Sequence, residues 1–141
     1  MFVTKVAWRR YLWVYALLAA WVLLGGYRYG FSFALDPDAM IIVLFVGVTE
    51  ETAFRGWLLN ALAKECPQWL AVLVNALMFL AIHFPRWIQE GAFISAFASF
   101  DFAGLMALSV IFSISFLKSK NLLIPITMHM WYDFFAFAFL A

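Results

Sequence analysis

The chain has 141 residues, of which 67% are hydrophobic and 12% are charged, with a net charge of +1 and a mean hydropathy of +0.96. Soluble domains carry about 25% charged residues, so this chain lacks the polar side chains needed to cover a water-exposed surface. The small net charge leaves no electrostatic footprint for nucleic acid, and a single cysteine, Cys66, cannot form an intrachain disulfide. The composition predicts an all-α, polytopic transmembrane helical bundle.

Continuous apolar stretches predict where this bundle crosses the membrane. A span needs about 20 residues, with a range of roughly 17–25. Five stretches meet or approach this length, although the third is short. They cover about residues 11–30, 38–63, 68–83, 92–117 and 122–140. We therefore expect one integral-membrane domain over residues 1–141, in which the first span (11–30) precedes a core of about 38–141.

The basic residues of the predicted loops set the orientation of the spans, because Lys and Arg concentrate on the cytoplasmic side. One side of the predicted topology carries six of them, and the other carries only Arg28 and Arg86. The six are Lys5, Arg9, Arg10, Lys64, Lys118 and Lys120. The first stretch could also be a signal peptide, but its bulky aromatic residues favour a retained span. We expect a multi-pass protein with a cytoplasmic N-terminus.

Two adjacent carboxylates and an arginine, Glu50, Glu51 and Arg55, lie inside the second apolar stretch. A charge at the centre of a span costs about 2.5–3.5 kcal/mol, so such residues mark a functional site by default. Glu51 and Arg55 have the i,i+4 spacing of a helical ion pair, which leaves Glu50 without a local partner. Glu50 is therefore a candidate general base. The alternative is a structural ion pair beside an acid that caps a neighbouring helix.

Two further motifs place histidines in predicted spans. His83 shares a helix face with Asn75 and Phe79 at intervals of four residues. A neutral imidazole bonded to a backbone carbonyl would explain His83 equally well. His129 and Asp133 have the same spacing, and Asp133 could orient His129, as carboxylates do beside catalytic and metal-bound histidines. A self-contained pair on a buried helix face is the alternative.

These groups come from three spans, so their convergence requires matching depths. At 1.5 Å per residue, Glu50 should lie near mid-membrane, His129 nearer the inner side and His83 nearer the outer side. The predicted mismatch is about 10 Å, which shifted span ends could absorb. Asp101 is a fourth acid at membrane depth; it could join the site or pair with Arg55, and we expect a structural role.

Three linked motifs make a more specific signal than any one of them. They are Glu-Glu-x-x-x-Arg at Glu50, Glu51 and Arg55, Phe-x-x-x-His at Phe79 and His83, and His-x-x-x-Asp at His129 and Asp133. Their order and placement resemble the CPBP family of intramembrane proteases, which includes the CAAX prenyl endopeptidases and bacteriocin-processing or immunity proteins. The resemblance covers about residues 40–135.

The resemblance implies an intramembrane endopeptidase that hydrolyses a peptide bond of a membrane-associated substrate, in maturation or sorting. Glu50 would activate water with assistance from His83, while His129 and Asp133 would bind the oxyanion or complete the site. Glu51, Arg55 and Phe79 would support these groups. The family's smaller members are bacterial and archaeal, which implies a prokaryotic cytoplasmic membrane and makes a prenylated CAAX substrate a second choice.

The resemblance also bears on cofactors and partners. The family has been described both as metal-dependent and as glutamic-type, so a divalent metal such as zinc is a candidate cofactor. Its candidate ligands are Glu50, His83, His129 and Asp133. Asp133, where many members carry Asn, fits either description. The implied partners are a peptide or protein substrate in or at the membrane and the lipid bilayer, with no nucleic acid.

Two other classes of function compete with the protease hypothesis. One is a non-catalytic bacteriocin-immunity or membrane partner protein on the same scaffold, for which Glu50→Gln would keep full function. The other is a small proton-coupled transporter or channel subunit, in which Glu and His side chains would form a relay along a path. A cluster of these groups around a water-accessible opening favours the protease.

Overall fold

The computed structural model describes residues 7–31 and 37–140, and in this part of the chain every regular element is a helix. The all-α prediction is therefore confirmed. After a 3₁₀ turn at Trp8–Arg10, the elements are α1 (Leu12–Tyr29), α2 (Pro37–Glu51), a π-helix (Thr52–Leu59), α3 (Asn60–Glu65), α4 (Gln68–Ala81), α5 (Phe84–Gln89), α6 (Phe93–Ala98), α7 (Phe100–Ser119) and α8 (Leu123–Leu140). The side chain of Asp101 lies outside the described part, so its structural role stays a prediction.

Only part of the five-span prediction has independent support from helix length and composition. Within residues 7–31 and 37–140, two helical stretches are long and apolar enough to cross a membrane, Gln68–Gln89 and Phe102–Ser119. The apolar helix Leu12–Arg28 is slightly shorter. The five-span bundle is thus not confirmed, although each predicted span corresponds to helical structure.

The second predicted span is one continuous helical run with a change of register in its middle. The run begins at Pro37 and ends at Glu65. Proline is tolerated at a helix start because N–H groups of the first turn have no acceptor within the helix, so the missing N–H breaks no hydrogen bond. Between Thr52 and Leu59 the backbone is π-helical. Such segments are rare and frequently occur at functional sites. No pattern in the sequence predicted this one, which begins directly after Glu51.

The third and fourth predicted spans need corrected ends. The third was expected to stop at His83, but after a turn a second helix, α5, resumes at Phe84 with Pro85 in its first turn. His83 therefore lies inside the 22-residue stretch Gln68–Gln89 rather than at its end. The fourth is divided at Ser99, whose extended backbone separates α6 from α7.

Helix α8 packs against α1, α2 and α7, and α4 packs against α7 and the π-helix. The side chain of Asn121 caps α8, because its Oδ1 accepts the Leu123 N–H at 2.9 Å. Gly47 allows α2 to approach α8 closely, since an added Cβ would lie 2.6 Å from Met130 Cγ. This contact brings the acidic pair of α2 alongside the His129 turn of α8.

The buried apolar side chains form three clusters that hold this arrangement. The first joins α1, α7 and α8 through Val14, Leu18, Leu108, Phe112, Ile124 and Met128. The second joins the π-helix to α4, α7 and the start of α8 through Leu59, Ala71, Phe116, Leu122 and Ile126. The third lies under α5 and α6 and contains Leu80, Trp87 and Ala96.

Candidate functional site

Glu51 and Arg55 form the fully buried floor of the site. Arg55 Nη1 donates to Glu51 Oε1 at 2.9 Å, and both side chains are 0% exposed. Arg55 Nη2 also donates to the Ser109 carbonyl at 3.0 Å and to Ser109 Oγ at 2.8 Å. The predicted pairing is therefore present, and α7 supplies additional acceptors that the guanidinium fork can reach.

Aromatic rings from α4 and α7 enclose the guanidinium. Arg55 Cζ lies 4.7 Å from the Phe79 ring centroid and 5.5 Å from that of Phe112. Such contacts are attractive because the face of an aromatic ring carries negative potential. Phe112 also stacks on His129, with a centroid separation of 5.2 Å. The same two helices thus hold the arginine and the neighbouring histidine.

Glu51 holds His129 in place. His129 Nδ1 lies 2.8 Å from Glu51 Oε1, the same oxygen that accepts from Arg55. An ionised carboxylate can only accept hydrogen bonds, so the proton of this contact belongs to Nδ1. The sequence offers Asp133 as a second group that could orient the ring. Asp133 lies at the other nitrogen, with its Oδ2 at 3.4 Å from His129 Nε2.

Glu50 and Asp133 form the open side of the site. Glu50 Oε2 lies 3.9 Å from His129 Nε2, so both carboxylates approach the same ring nitrogen. Their side chains are 24% and 16% exposed, against 0% for Glu51 and Arg55. The adjacent residues Glu50 and Glu51 therefore have opposite surroundings, one reachable from outside and one sealed.

His83 borders the open side. Its Nδ1 lies 3.0 Å from the Phe79 carbonyl oxygen, which accepts and so fixes the proton on Nδ1. This is the carbonyl contact that the structural alternative predicted, yet it leaves Nε2 as an acceptor. The ring is half-buried and lies 5.4 Å from the Phe79 ring, which is in turn 6.0 Å from the His129 ring. Both histidine rings therefore lie next to the Phe79 ring, and their depths in the membrane stay a prediction.

A buried amide connects the site to the π-helix. Asn75 Nδ2 donates to the Phe54 carbonyl at 2.7 Å, and Ser113 Oγ donates to Asn75 Oδ1 at 3.2 Å. Because the Phe54 carbonyl lies inside the π-helical segment, this contact joins the altered register to α4 and α7. Asn75 and Ser113 are fully buried, so the contacts are shielded from water.

The donor set does not fit a resident metal as these side chains are placed. Glu50, His129 and Asp133 approach one another, but within residues 7–31 and 37–140 no three His, Cys, Asp or Glu side chains form a group that could hold a metal ion. Glu51 and Arg55 already occupy the Nδ1 side of His129. The zinc hypothesis stays a prediction.

Three residues of α7 complete the site and were not predicted, namely Ser109, Phe112 and Ser113. Their spacing of three and four residues places them on one helix face. That pattern is present in the sequence, but serine and phenylalanine at such spacing are common in buried helices. Only the contacts with Arg55, His129 and Asn75 identify them as part of the site.

Comparisons with known proteins agree with the motif pattern. A family model described as type II CAAX prenyl endopeptidase Rce1-like matches residues 32–135, which include every residue of the site. A curated relative from Escherichia coli, described as an uncharacterized 24.3 kDa protein, is 30% identical over 101 residues. That match covers 67% of this chain and 42% of the relative, so the chain spans less than half of the relative's length. No solved structure matches.

Proposed function

Because the chain belongs to the type II CAAX prenyl endopeptidase Rce1-like family, we propose that it is a multi-pass membrane endopeptidase. Members of this family are normally peptidases, although some are non-catalytic. The proposed reaction is hydrolysis of a peptide bond in a membrane-associated substrate, of the maturation or sorting type. The proposed catalytic residues are Glu50, His83 and His129, and Asp133 completes the site beside His129 Nε2.

The observation behind the proposal is that two adjacent carboxylates, Glu50 and Glu51, have different surroundings. Glu51 is committed to Arg55 and His129, whereas Glu50 is partly exposed and has only the edge of His129 nearby. A non-catalytic binding protein has no need for a partly exposed carboxylate held next to a fixed imidazole. A relay would string titratable groups along a path, but here they are gathered around one ring nitrogen. The arrangement favours proton transfer at a single place.

In the proposed mechanism, Glu50 takes a proton from water, and the resulting hydroxide attacks the scissile carbonyl carbon. The carbonyl oxygen becomes an oxyanion as the tetrahedral intermediate forms. Protonated at both nitrogens, His129 donates Nε2–H to this oxygen, and Glu51 stabilises the cation at Nδ1. When the C–N bond breaks, Glu50 returns its proton to the leaving amine. His83 Nε2 accepts a hydrogen bond from the attacking water and helps to orient it.

The buried Glu51–Arg55 pair costs free energy, which supports the proposal that it is present for function. Within the described part of the chain, Glu51 Oε2 and Arg55 Nε are buried without a hydrogen-bond partner. Each such atom costs about 1–3 kcal/mol, and a buried ion pair is often no more stabilising than apolar residues of similar size. The pair therefore contributes orientation of His129 more than it contributes stability.

The surface of the described helices supports a membrane location. Large apolar side chains are exposed on several helices, including Trp13, Phe45, Trp57 and Trp69, each at least 67% exposed. Soluble proteins rarely present extensive apolar surface to water. The family is membrane-associated, and we propose several spans with a cytoplasmic N-terminus, as the distribution of Lys and Arg indicates.

Quantitative mapping of membrane-protein termini in the native host tests this function. Cells expressing wild-type protein are compared with cells expressing Glu50→Ala at equal level. We expect new N- and C-termini in the wild type that are absent in the mutant, which would also identify the substrate. Identical termini, with the mutant still folded, would contradict the protease and favour the non-catalytic partner protein.

A further inference from the structure

A groove between α4 and α7 lies apart from the catalytic cluster. It has a volume of about 380 Å³, and its lining residues are Gln68, Trp69, Val72, Ile114, Leu117 and Lys118. None of the proposed catalytic residues borders it. The volume falls in the range of ordinary ligand pockets, about 300–1,000 Å³. The proposed reaction makes no use of this groove.

The groove combines an apolar wall with a cation at one end. Ile114 and Leu117 of α7 line it with Val72 of α4, and Lys118 follows directly at the end of α7. The Lys118 side chain is exposed and has no ion-pair partner within residues 7–31 and 37–140. An apolar cleft that ends at an unpaired ammonium group matches an amphiphile with an anionic head.

Two further features favour negative charge at this end. Helix α4 begins at Gln68, which borders the groove, and no side chain caps it. The free N–H groups of a helix start attract anions. The last turn of α3 adds Lys64 and one carboxylate, Glu65, and the connector after α7 adds Lys120, so lysines outnumber acids by three to one with Lys118 included.

The geometry points to a binding site for an anionic phospholipid, with an acyl chain along the groove and the phosphate at Lys118. Basic pockets between membrane helices on the cytoplasmic side bind such headgroups, and the positive-inside orientation places Lys118 on that side. Trp69 would lie at the level of the headgroups, where tryptophan is enriched. The inference rests on the proposed membrane location and is independent of peptide hydrolysis.

Quenching of Trp69 fluorescence by brominated lipids tests the site. The full chain is reconstituted in phosphatidylcholine that contains a variable fraction of brominated phosphatidylglycerol or, in parallel, brominated phosphatidylcholine. The Trp69 signal is the difference between each protein and the same protein carrying Trp69→Phe. We expect brominated phosphatidylglycerol to bind about fivefold more tightly than brominated phosphatidylcholine, because one nearby basic residue contributes about that factor in affinity for an anionic lipid.

Matched lysine variants distinguish specific lipid binding in the groove from nonspecific attraction of anionic lipid to surface lysines. Lys118→Gln should abolish the preference, while Lys120→Gln, which makes the same charge change outside the groove, should retain most of it. Equal quenching by both lipids, or equal losses in the two variants, would overturn the proposal. Glu50→Gln should leave the lipid preference unchanged, so a failure of the lipid site and a failure of the protease are distinguishable.

Discussion

The two sides of His129 differ in what surrounds them. At Nδ1 the ring meets Glu51, which is sealed from solvent and bonded to Arg55. At Nε2 it meets Glu50 and Asp133, which are partly exposed and have no cation at comparable distance within the described residues other than the imidazole itself. One side fixes the ring, and the other leaves groups available to a substrate.

This difference separates the residues that orient from those that react. Charges that are buried and paired are held by their partners, so moving a proton there would break several contacts at once. Carboxylates that are only partly buried can exchange protons with an entering water. The proximity of Glu50 and Glu51 in the sequence therefore does not imply a shared role.

The largest effect on stability should come from substitutions in the buried pair of Glu51 and Arg55. Arg55→Met leaves Glu51 buried without its cation, and breaking a buried pair in this way costs about 3–5 kcal/mol. The double variant Glu51→Gln with Arg55→Met should recover part of the loss, because no uncompensated charge remains. The free energy of unfolding in detergent micelles measures both effects.

The exposed ion pair of the chain provides the control. Arg86 Nε and Glu90 Oε1 are 2.7 Å apart, closer than the buried pair, but their side chains are 76% and 48% exposed. Exposed pairs contribute at most about 1 kcal/mol after solvent screening, so Arg86→Gln should barely change unfolding. If the two arginine substitutions had equal effects, burial would not be what distinguishes the sealed side.

An intermediate effect should follow from the contact between α4 and the π-helix. Asn75→Ala leaves the Phe54 carbonyl without its side-chain donor and should cost about 1–3 kcal/mol. Asn60→Ala is a matched control, because Asn60 donates to the Gly56 carbonyl from the same helical run and is only partly buried. Comparable melting temperatures for the two variants would remove the proposed link between Asn75 and the π-helical register.

A smaller effect is expected on the open side at Asp133. Asp133→Asn keeps the size of the side chain and supplies an N–H donor. Cleavage of the substrate found by terminus mapping should stay within about tenfold of wild type, which corresponds to about 1.4 kcal/mol. A loss of a thousandfold or more would identify Asp133, rather than Glu50, as the principal base.

The sequence predicted the local part of this site well. Glu51 and Arg55 are four residues apart on one helix, so their pairing needs no knowledge of the tertiary fold. The motifs Phe79–His83 and His129–Asp133 likewise marked both histidines as candidate site residues. The i,i+4 spacing correctly made Asp133 a neighbour of His129, but it could not show the shorter contact from Glu51, 78 positions away.

The remaining features depend on packing between helices. The π-helix has no proline within it to mark it, and the side-chain amide that bonds to its Phe54 carbonyl comes from Asn75 on another helix. The predicted end of the third span at His83 needs correction because Pro85 does not stop the helical stretch: proline in the first turn of α5 begins a new helix. Contacts of Ser109 and Phe112 likewise follow only from how α7 faces the π-helix and α8.

The most direct test of this account is to measure cleavage and thermal unfolding on the same purified preparation of Glu50→Gln. The substitution keeps the size of the side chain and removes its ability to accept a proton from water. The account predicts an unchanged melting temperature with cleavage lowered by about 10²–10⁴-fold, the usual contribution of a general base. A folded Glu50→Gln protein that still cleaves its substrate at the wild-type rate would contradict it.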